Sequence, residues 1–333
     1  MDKLKLLPLH LNELPLQQVG TNAFLPGANH TAIAFGWAGS AGDPLAPNRH
    51  WYCEFGPDGA TSHWLPDSLG LHHAELVGWS ASTSSCNKSI HAFRCGEAVG
   101  LLLGLHELQL LDPQSGSLRP IAIEGFAPDA PWVPLRVGHG HEQQFPVILA
   151  GPLGGYFDGH QLALLKVDVS TGTARWELTD GRPSSLPDTD YVPLLADRSS
   201  WTPLIYSAAS RGQDWLFYVG PTHTSHQRGM APSALGLHGS DLRLQRVIHQ
   251  AGEASFGDIS SSGEWLILSP YLKSGPRKGR QTLVNLNDGR LLEPAPPRGH
   301  AGWQVIDHQD GCWWLLPMGV RYGANCVLAC ATK

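Results

Sequence analysis

The sequence predicts an all-β protein, a single closed β-propeller of six blades that occupies residues 1–333 as one domain. Three observations predict this fold. The chain has 38 Gly, 26 Pro and 12 Trp but only 16% charged residues, a composition typical of short strands separated by turns. No window of helical length keeps apolar residues at helical spacing without a Pro or Gly. Similar turns recur along the chain, and its two ends combine into one blade.

Three of the five recurring turns are opened by Asp or Asn, and four of them are closed by Gly. An Asp or Asn side chain caps the turn, and Gly supplies the positive φ that a tight hairpin requires. The turns are at residues 55–59, 112–116, 168–172, 238–241 and 285–289. They follow one another at intervals of about 47 to 70 residues, close to the period of four-stranded blades with insertions.

The last blade accounts for the two chain ends. Residues 304–307, 312–316 and 325–330 supply three strands, with no room for a fourth. We expect residues 4–7 to supply the missing outer strand, because closure of the ring removes exposed sheet edges. Six blades follow from this count. Seven blades remain the alternative, which requires that the long segment 180–250 be divided.

Composition also excludes several classes of function. The formal charge is −6 and no run of Lys or Arg forms a basic stripe, which argues against nucleic acid as a partner. No apolar stretch reaches the length of a membrane span, and the N-terminus lacks the apolar region of a secretory signal. A cytoplasmic monomer is the default expectation. The six cysteines form no CxxC pair, and we expect reduced, mostly buried thiols.

Two segments carry a resemblance that supports the fold. Residues 256–269 read as a short strand, a Ser-x-x-Gly turn and an apolar strand, and residues 304–314 are a looser copy. This pattern resembles the repeat of TolB-like and WD40-like propellers. The resemblance implies a fold and no activity, because propellers host unrelated functions.

Catalytic signatures are absent from the sequence. There is no Walker loop, GxSxG elbow, HExxH motif or Rossmann glycine fingerprint. The sequence therefore leaves open whether the protein is an enzyme.

Histidine is the residue type that suggests a site. Several of the 17 histidines lie at or just before the start of a predicted first strand, and such positions converge on the mouth of a propeller channel. The densest segment has Gly on both sides of His139, which permits close backbone approach. On a strand, His139, His141 and Gln143 would project to one face. The candidate metal ligands are His30, His73, His139, His141, Gln143 and His300. Ordinary hydrogen-bonded histidines are the alternative explanation and the favoured one.

The same segment has a local similarity to oligogalacturonate lyases. The matching residues are Gly140-His141-Glu142-Gln143, Phe145-Pro146 and Gly151-Pro152. The resemblance implies a divalent metal, with Mn, Ca, Zn or Fe as candidates, held by His and Gln at the channel mouth.

Two functions are consistent with these features of the sequence. The first is a non-catalytic binding or scaffold propeller that holds a small ligand or a protein partner at the channel mouth or a blade rim. The second is a metal-dependent lyase, hydrolase or isomerase that acts on an anionic or carbohydrate-like substrate. The first is favoured because no catalytic signature is complete. The candidate ligand-binding residues are Trp79, Arg136, Glu142 and Trp303.

Overall fold

The computed structural model describes most of the chain as β-strands and the turns that join them. The described residues are 4–8, 18–29, 31–39, 49–56, 59–66, 69, 75–76, 89–141, 143–151, 160–186, 203–221, 233–251, 255–270, 281–293, 303–317 and 327–331. All 26 named elements in these ranges are strands, as the composition predicted. These ranges contain no helix that is long and apolar enough to cross a membrane.

The chain divides into two compact units. One comprises Met1–Pro120 with Ala295–Lys333, and the other comprises Ile121–Pro294. The single domain over residues 1–333 stays a prediction.

The first unit begins with two antiparallel sheets. The first sheet has the order β2-β3-β4-β5, with β2 Gln18–Pro26, β3 Ala32–Gly39, β4 Arg49–Gly56 and β5 Gly59–Trp64. The second sheet has β7 Ser89–Cys95, β8 Ala98–Leu102, β9 Glu107–Leu111 and β10 Leu118–Glu124 in that order, and the short β6 Glu75–Leu76 pairs in parallel with β7. The boundary between the units falls inside β10.

The sixth sheet, also in the first unit, joins the two ends of the chain. Its order is β24-β25-β26-β1, with β24 Trp303–Gln309, β25 Cys312–Pro317, β26 Val327–Ala331 and β1 Leu4–Pro8. The pairing of β1 with β26 is antiparallel and runs from Leu4↔Ala331 to Pro8↔Val327. The prediction that the N-terminal strand completes the last sheet is confirmed.

The second unit holds the third, fourth and fifth sheets, each with its strands in chain order. The third has β11 Val133–Val137, β12 Gln144–Ala150, β13 His160–Asp168 and β14 Thr173–Glu177, and the short β15 Ser184–Ser185 pairs with β13. The fourth has β16 Pro203–Arg211, β17 Asp214–Pro221, β18 Ser233–His238 and β19 Leu244–Ala251. The fifth has β20 Ser255–Ile259, β21 Trp265–Pro270, β22 Thr282–Asn285 and β23 Leu291–Leu292.

Three of the predicted turns form with the expected chemistry. The amide of the closing glycine donates to the carbonyl of the opening residue in Gly116→Asp112 at 2.9 Å, Gly172→Asp168 at 2.9 Å and Gly289→Asn285 at 2.8 Å. The three glycines have φ of 69°, 69° and 73°. This left-handed backbone strains any residue with a Cβ, which explains why Gly closes each turn.

Apolar side chains fill the space between successive sheets within each unit. In the first unit, Phe35 of the first sheet packs in one cluster with Val99 of the second. In the second unit, one cluster joins the third and fourth sheets and another joins the fourth and fifth. Sheets stacked face to face in chain order are the arrangement of propeller blades. Trp51, Trp176, Trp215 and Trp265 are buried in these strands.

In four of the sheets, the first strand contains a register shift. The shifts lie between Thr21 and Ala23, Pro134 and Arg136, Ile205 and Ser207, and Val305 and Asp307. A bulge turns a side chain or a backbone group away from the regular ladder. In the second unit, two of these shifts lie beside the candidate site.

The cysteines agree only in part with the expectation of reduced thiols. Cys53 and Cys95 are buried free thiols, and burial raises the pKa of each to about 11. Cys312 is disulfide-bonded, so the expectation that all six are reduced is wrong.

Candidate functional site

The described ranges include half of the residues that the sequence put forward for a site. Trp79, Glu142, His30, His73 and His300 lie outside the described residues. Convergence of the histidines on one point therefore stays a prediction. Trp303 begins β24 in the first unit, opposite Pro317. Arg136, His139, His141 and Gln143 lie in the second unit, and the site is built around them.

The segment that contains His139 and His141 ends in a tight hairpin. His141 and Gln144 bridge each other through two backbone hydrogen bonds of 3.0 and 2.9 Å. Gln143 has a φ of 70°, as a residue in a turn between two strands does. The chain reverses at this point, so the prediction that His139, His141 and Gln143 follow one another along a single strand is wrong.

The two glycines beside His139 are required by backbone contacts. A Cβ on Gly138 would lie 2.2 Å from the carbonyl oxygen of Ala208, and one on Gly140 would lie 2.1 Å from that of Gln144. Close backbone approach was the predicted role of these glycines and is confirmed. It lets the amide of His139 donate to the carbonyl of Ala208 at 3.1 Å, while the His139 carbonyl accepts from the Ser210 amide at 2.8 Å.

This backbone link covers the free edge of β16. A first strand has one edge with no strand beside it, and its amide and carbonyl groups need other partners. The third sheet supplies them through the backbone of His139. The His139 ring continues toward the fifth sheet, where its Nδ1 lies 3.3 Å from the Ser261 hydroxyl.

Arg136 makes a second contact across the same strand. Its Nη1 donates to the carbonyl of Tyr206 at 2.7 Å, and its Nη2 donates to the Asp258 carboxylate at 2.5 Å. The guanidinium thus starts on β11, passes the edge of β16 and ends at β20. The side chains of Arg136 and Asp258 remain 29% and 14% exposed, so solvent and solutes reach this ion pair.

Asp258 is held on its other side by a hydroxyl. Ser207 donates to the carboxylate at 2.8 Å and accepts from the amide of Ile259 at 3.1 Å. The Ser207 side chain is itself buried. A buried network with every member hydrogen-bonded fixes side-chain positions, because any other rotamer leaves a polar group without a partner.

The bulge in β16 brings these contacts together. Ile205 pairs with Val219 and Ser207 pairs with Tyr218, which leaves Tyr206 as the extra residue. The Tyr206 carbonyl is therefore turned out of the ladder and receives Arg136. We call Ile205, Tyr206 and Ser207 the β16 bulge.

His160, which the sequence did not single out, contacts the first residue of the β16 bulge. Its Nδ1 lies 3.1 Å from both the amide nitrogen and the carbonyl oxygen of Ile205. Burial lowers the pKa of His160 to about 4, while the hydrogen bond to Ile205 acts in the opposite direction. The imidazole is neutral at neutral pH.

Arg136 is the charged group at the centre of the described part of the site. Within the ranges that the structure describes, no three His, Cys, Asp or Glu side chains are placed to hold a metal. The Arg136 guanidinium is a planar, positively charged group whose N–H donors suit carboxylate or phosphate-like groups. The metal role of His139, His141 and Gln143 stays a prediction.

Sequence reasoning found Arg136 and His139 but missed their partners. Asp258 and Ser261 lie in the segment that was assigned to a fold repeat, and Ser207 lies in a strand without any motif. One signal for Asp258 was available. A carboxylate inside an otherwise apolar first strand needs a cation, and Arg136 occupies a similar position in another first strand.

Comparisons with known proteins show the fold and nothing finer. No family model and no curated protein matches the chain. A Dyadobacter fermentans protein of unknown function is similar over 99% of both chains, with 9% identity and a TM-score of 0.51. An α-L-arabinofuranosidase of Fusarium graminearum has 8% identity and a TM-score of 0.49 over 99% of this chain and 97% of its own. The β-propeller domain of a Pyrococcus furiosus protease has 7% identity and a TM-score of 0.39, over 90% and 79%.

The sheets themselves identify the fold class. The described part of the chain contains four four-stranded antiparallel sheets and one ten-stranded sheet, in which β10 pairs in parallel with β14. The last four-stranded sheet takes its outer strand from the N-terminus, and the number of blades stays a prediction. The seven-bladed alternative required that residues 180–250 be divided, and the described part of that segment forms one four-stranded sheet with the short β15 beside β13. The chain has the all-β fold of the β-propellers.

Proposed function

We propose that the protein is a non-catalytic binding propeller that holds a small ligand with an anionic group at Arg136. The observation that carries this proposal is the Arg136–Asp258 ion pair. It lies on the first strands of the third and fifth sheets, is fixed by Ser207 and the Tyr206 carbonyl, and is still partly exposed. An arginine that is held in place and open to solvent loses little side-chain entropy on binding an anion.

The overall charge supports a small ligand over a large polyanion. With 23 Lys and Arg against 29 Asp and Glu, the chain lacks the basic surface that nucleic acid requires. The ligand we propose carries one or two negative charges. A monomer in the cytoplasm stays part of the proposal.

The test is a thermal-shift screen of the untagged protein with sulfate, phosphate, small carboxylates and neutral sugars. A ligand present at one hundred times its Kd stabilises the folded state by about 2.7 kcal/mol. We expect anions to raise the melting temperature of the wild type and neutral sugars to have no effect. The variant Arg136→Met should lose the response.

Arg175→Met is the matched control. Arg175 also pairs with a carboxylate, Glu177 at 3.4 Å, but it lies on the outer strand β14 and is 62% exposed. The control should respond to anions as the wild type does. Equal anion affinity of Arg136→Met and wild type, measured by calorimetry, overturns the proposal.

The metal-dependent lyase, hydrolase or isomerase is the second candidate. It is favoured by the placement of His139 and His141 on one short segment before a hairpin, with the His139 ring beside Ser261. The resemblance to oligogalacturonate lyases supplies the substrate class, and the TolB-like resemblance supplies none. Metal analysis of protein purified without a His-tag tests it: stoichiometric Mn, Ca, Zn or Fe that is lost in His139→Ala/His141→Ala supports the enzyme, and metal-free protein overturns it.

A further inference from the structure

Each residue of the β16 bulge is held by a different neighbour. Ile205 contacts His160 of β13, Tyr206 receives Arg136 of β11, and Ser207 donates to Asp258 of β20. The three contacts lie on consecutive residues. A change at the Ile205 contact therefore acts directly on the backbone that presents Tyr206 to Arg136.

The contact between His160 and Ile205 has two possible forms. The ring nitrogen Nδ1 is 3.1 Å from the Ile205 amide nitrogen and 3.1 Å from the Ile205 carbonyl oxygen. A neutral imidazole with its proton on Nε2 accepts from the amide through Nδ1. A protonated imidazole carries a proton on both nitrogens and can only donate. Protonation therefore moves the hydrogen bond to the carbonyl and leaves the Ile205 amide without its acceptor.

Among the described residues, the strands around His160 carry few charges that oppose or assist this change. β12 and β15, which pair with β13, carry no titratable side chain. The charged or titratable side chains on β13, β14 and β16 are Lys166, Asp168, Arg175, Glu177, Tyr206 and Arg211. Burial lowers the pKa of His160, the hydrogen bond to Ile205 acts in the opposite direction, and no charged side chain among the described residues is a cause of the shift. Protonation at this position places a charge in an apolar environment, which favours rearrangement.

We propose that His160 is an acid-sensitive latch on the Arg136 site. The neutral imidazole holds the β16 bulge in the shape that presents the Tyr206 carbonyl to Arg136. Protonation releases the Ile205 amide, loosens the bulge and weakens the hold on a bound anion. The effect on the anion rests on the proposed function, whereas the effect on the bulge does not. His160 touches no ligand in this scheme and acts as a positioning residue.

The first experiment needs no ligand. Hydrogen exchange of the Ile205 amide and of the Arg136 side-chain Nη–H groups is measured by NMR near pH 7 and near pH 4, and expressed as protection against the intrinsic rate at each pH. We expect the protection of both groups to fall about tenfold or more in the wild type, a change of roughly 1.4 kcal/mol in the opening equilibrium.

Two variants separate the latch from a purely structural role. His160→Asn keeps an acceptor near the position of Nδ1 and cannot be protonated, so its protection should stay high at both pH values. His160→Leu lacks the acceptor, so its protection should be low at both. His249→Asn is the control, because His249 is a second histidine of the same unit whose pKa is lowered by burial, and it lies on the outer strand β19. Unchanged protection of Ile205 in the wild type between the two pH values overturns the latch.

The second experiment uses sulfate as the probe, because its charge is the same near pH 7 and near pH 4. We expect the Kd for sulfate to rise about tenfold on acidification in the wild type and in His249→Asn, and less than about threefold in His160→Asn. Equal weakening in His160→Asn and the wild type overturns the link between the latch and the site. Failure of the wild type to bind sulfate at either pH overturns the proposed function, and the exchange measurement then still decides whether the latch exists.

Discussion

Deletion of residues 1–10 removes β1 and tests how much the sixth sheet depends on the two chain ends. The strand pairs with β26 over five residues, from Leu4↔Ala331 to Pro8↔Val327. A pairing of this length carries about four or five backbone hydrogen bonds with a net value of roughly 1 kcal/mol each, so the loss is about 4 to 5 kcal/mol. For a chain of this size each kcal/mol shifts the melting temperature by about 1 to 2 °C, which predicts a fall of roughly 4 to 10 °C.

Differential scanning calorimetry measures this effect, with a deletion of residues 2–3 as the control because these residues precede β1. A synthetic peptide of residues 1–10, added in trans, should restore part of the lost stability, since β26 keeps its free edge. Restored stability on addition of the peptide would also show that the truncated chain still folds. A truncated protein that melts at the wild-type temperature, with no response to the peptide, refutes the reasoning.

Three further changes test the packing and the charges of the second unit. Gly138→Ala places a Cβ 2.2 Å from the Ala208 carbonyl oxygen and should lower the unfolding free energy by about 1 to 3 kcal/mol in urea titrations. Tyr218→Phe removes the buried 2.6 Å hydrogen bond to Ser233 and should cost about 1 to 2 kcal/mol in the same assay. The pKa of His160 is about 4 in the folded state against 6.5 in the unfolded state. The unfolded chain therefore binds more protons between these values, and the stability falls as the pH drops from 6.5 to 4, by about 3 kcal/mol for 2.5 pKa units.

Each of these expectations has a contrary outcome. Wild-type stability of Gly138→Ala would mean that the third and fourth sheets separate there without cost. An unchanged stability of Tyr218→Phe would mean that the Ser233 hydroxyl finds another hydrogen-bond partner. For His160, the slope of stability against pH should flatten in His160→Asn, and an identical slope would assign it to other groups.

The fold could be predicted because local chemistry determines it. Turns such as 112–116 and 168–172 require an Asx cap and a left-handed Gly wherever they occur, so five residues were enough to recognise each one. The match between β1 and β26 followed from counting strands at the two ends. The division into two compact units had no such signal, because it depends on contacts between residues far apart in sequence.

The site was less predictable because its contacts join distant strands. Arg136 and Asp258 are 122 residues apart, and neither segment contains a sequence pattern that indicates its contact with the other. The alternation expected for His139, His141 and Gln143 failed because a hairpin interrupts the strand, and the sequence has no Asn-Gly or Asp-Gly signal there. His160 was missed because a histidine that begins a buried strand looks the same in sequence as one on a surface.

The pairing of β1 with β26 also determines how the gene for this protein can be rearranged. Ala331 lies opposite Leu4 on neighbouring antiparallel strands, so the end of one strand faces the start of the other. If the two ends were fused, residues 332–333 and 1–3 would form a five-residue hairpin loop, a length that hairpins commonly use. A circular permutant with that fusion would carry β26 and β1 as a covalent hairpin. New ends could then be opened in an exposed turn such as 112–116 without dividing any sheet between the two termini.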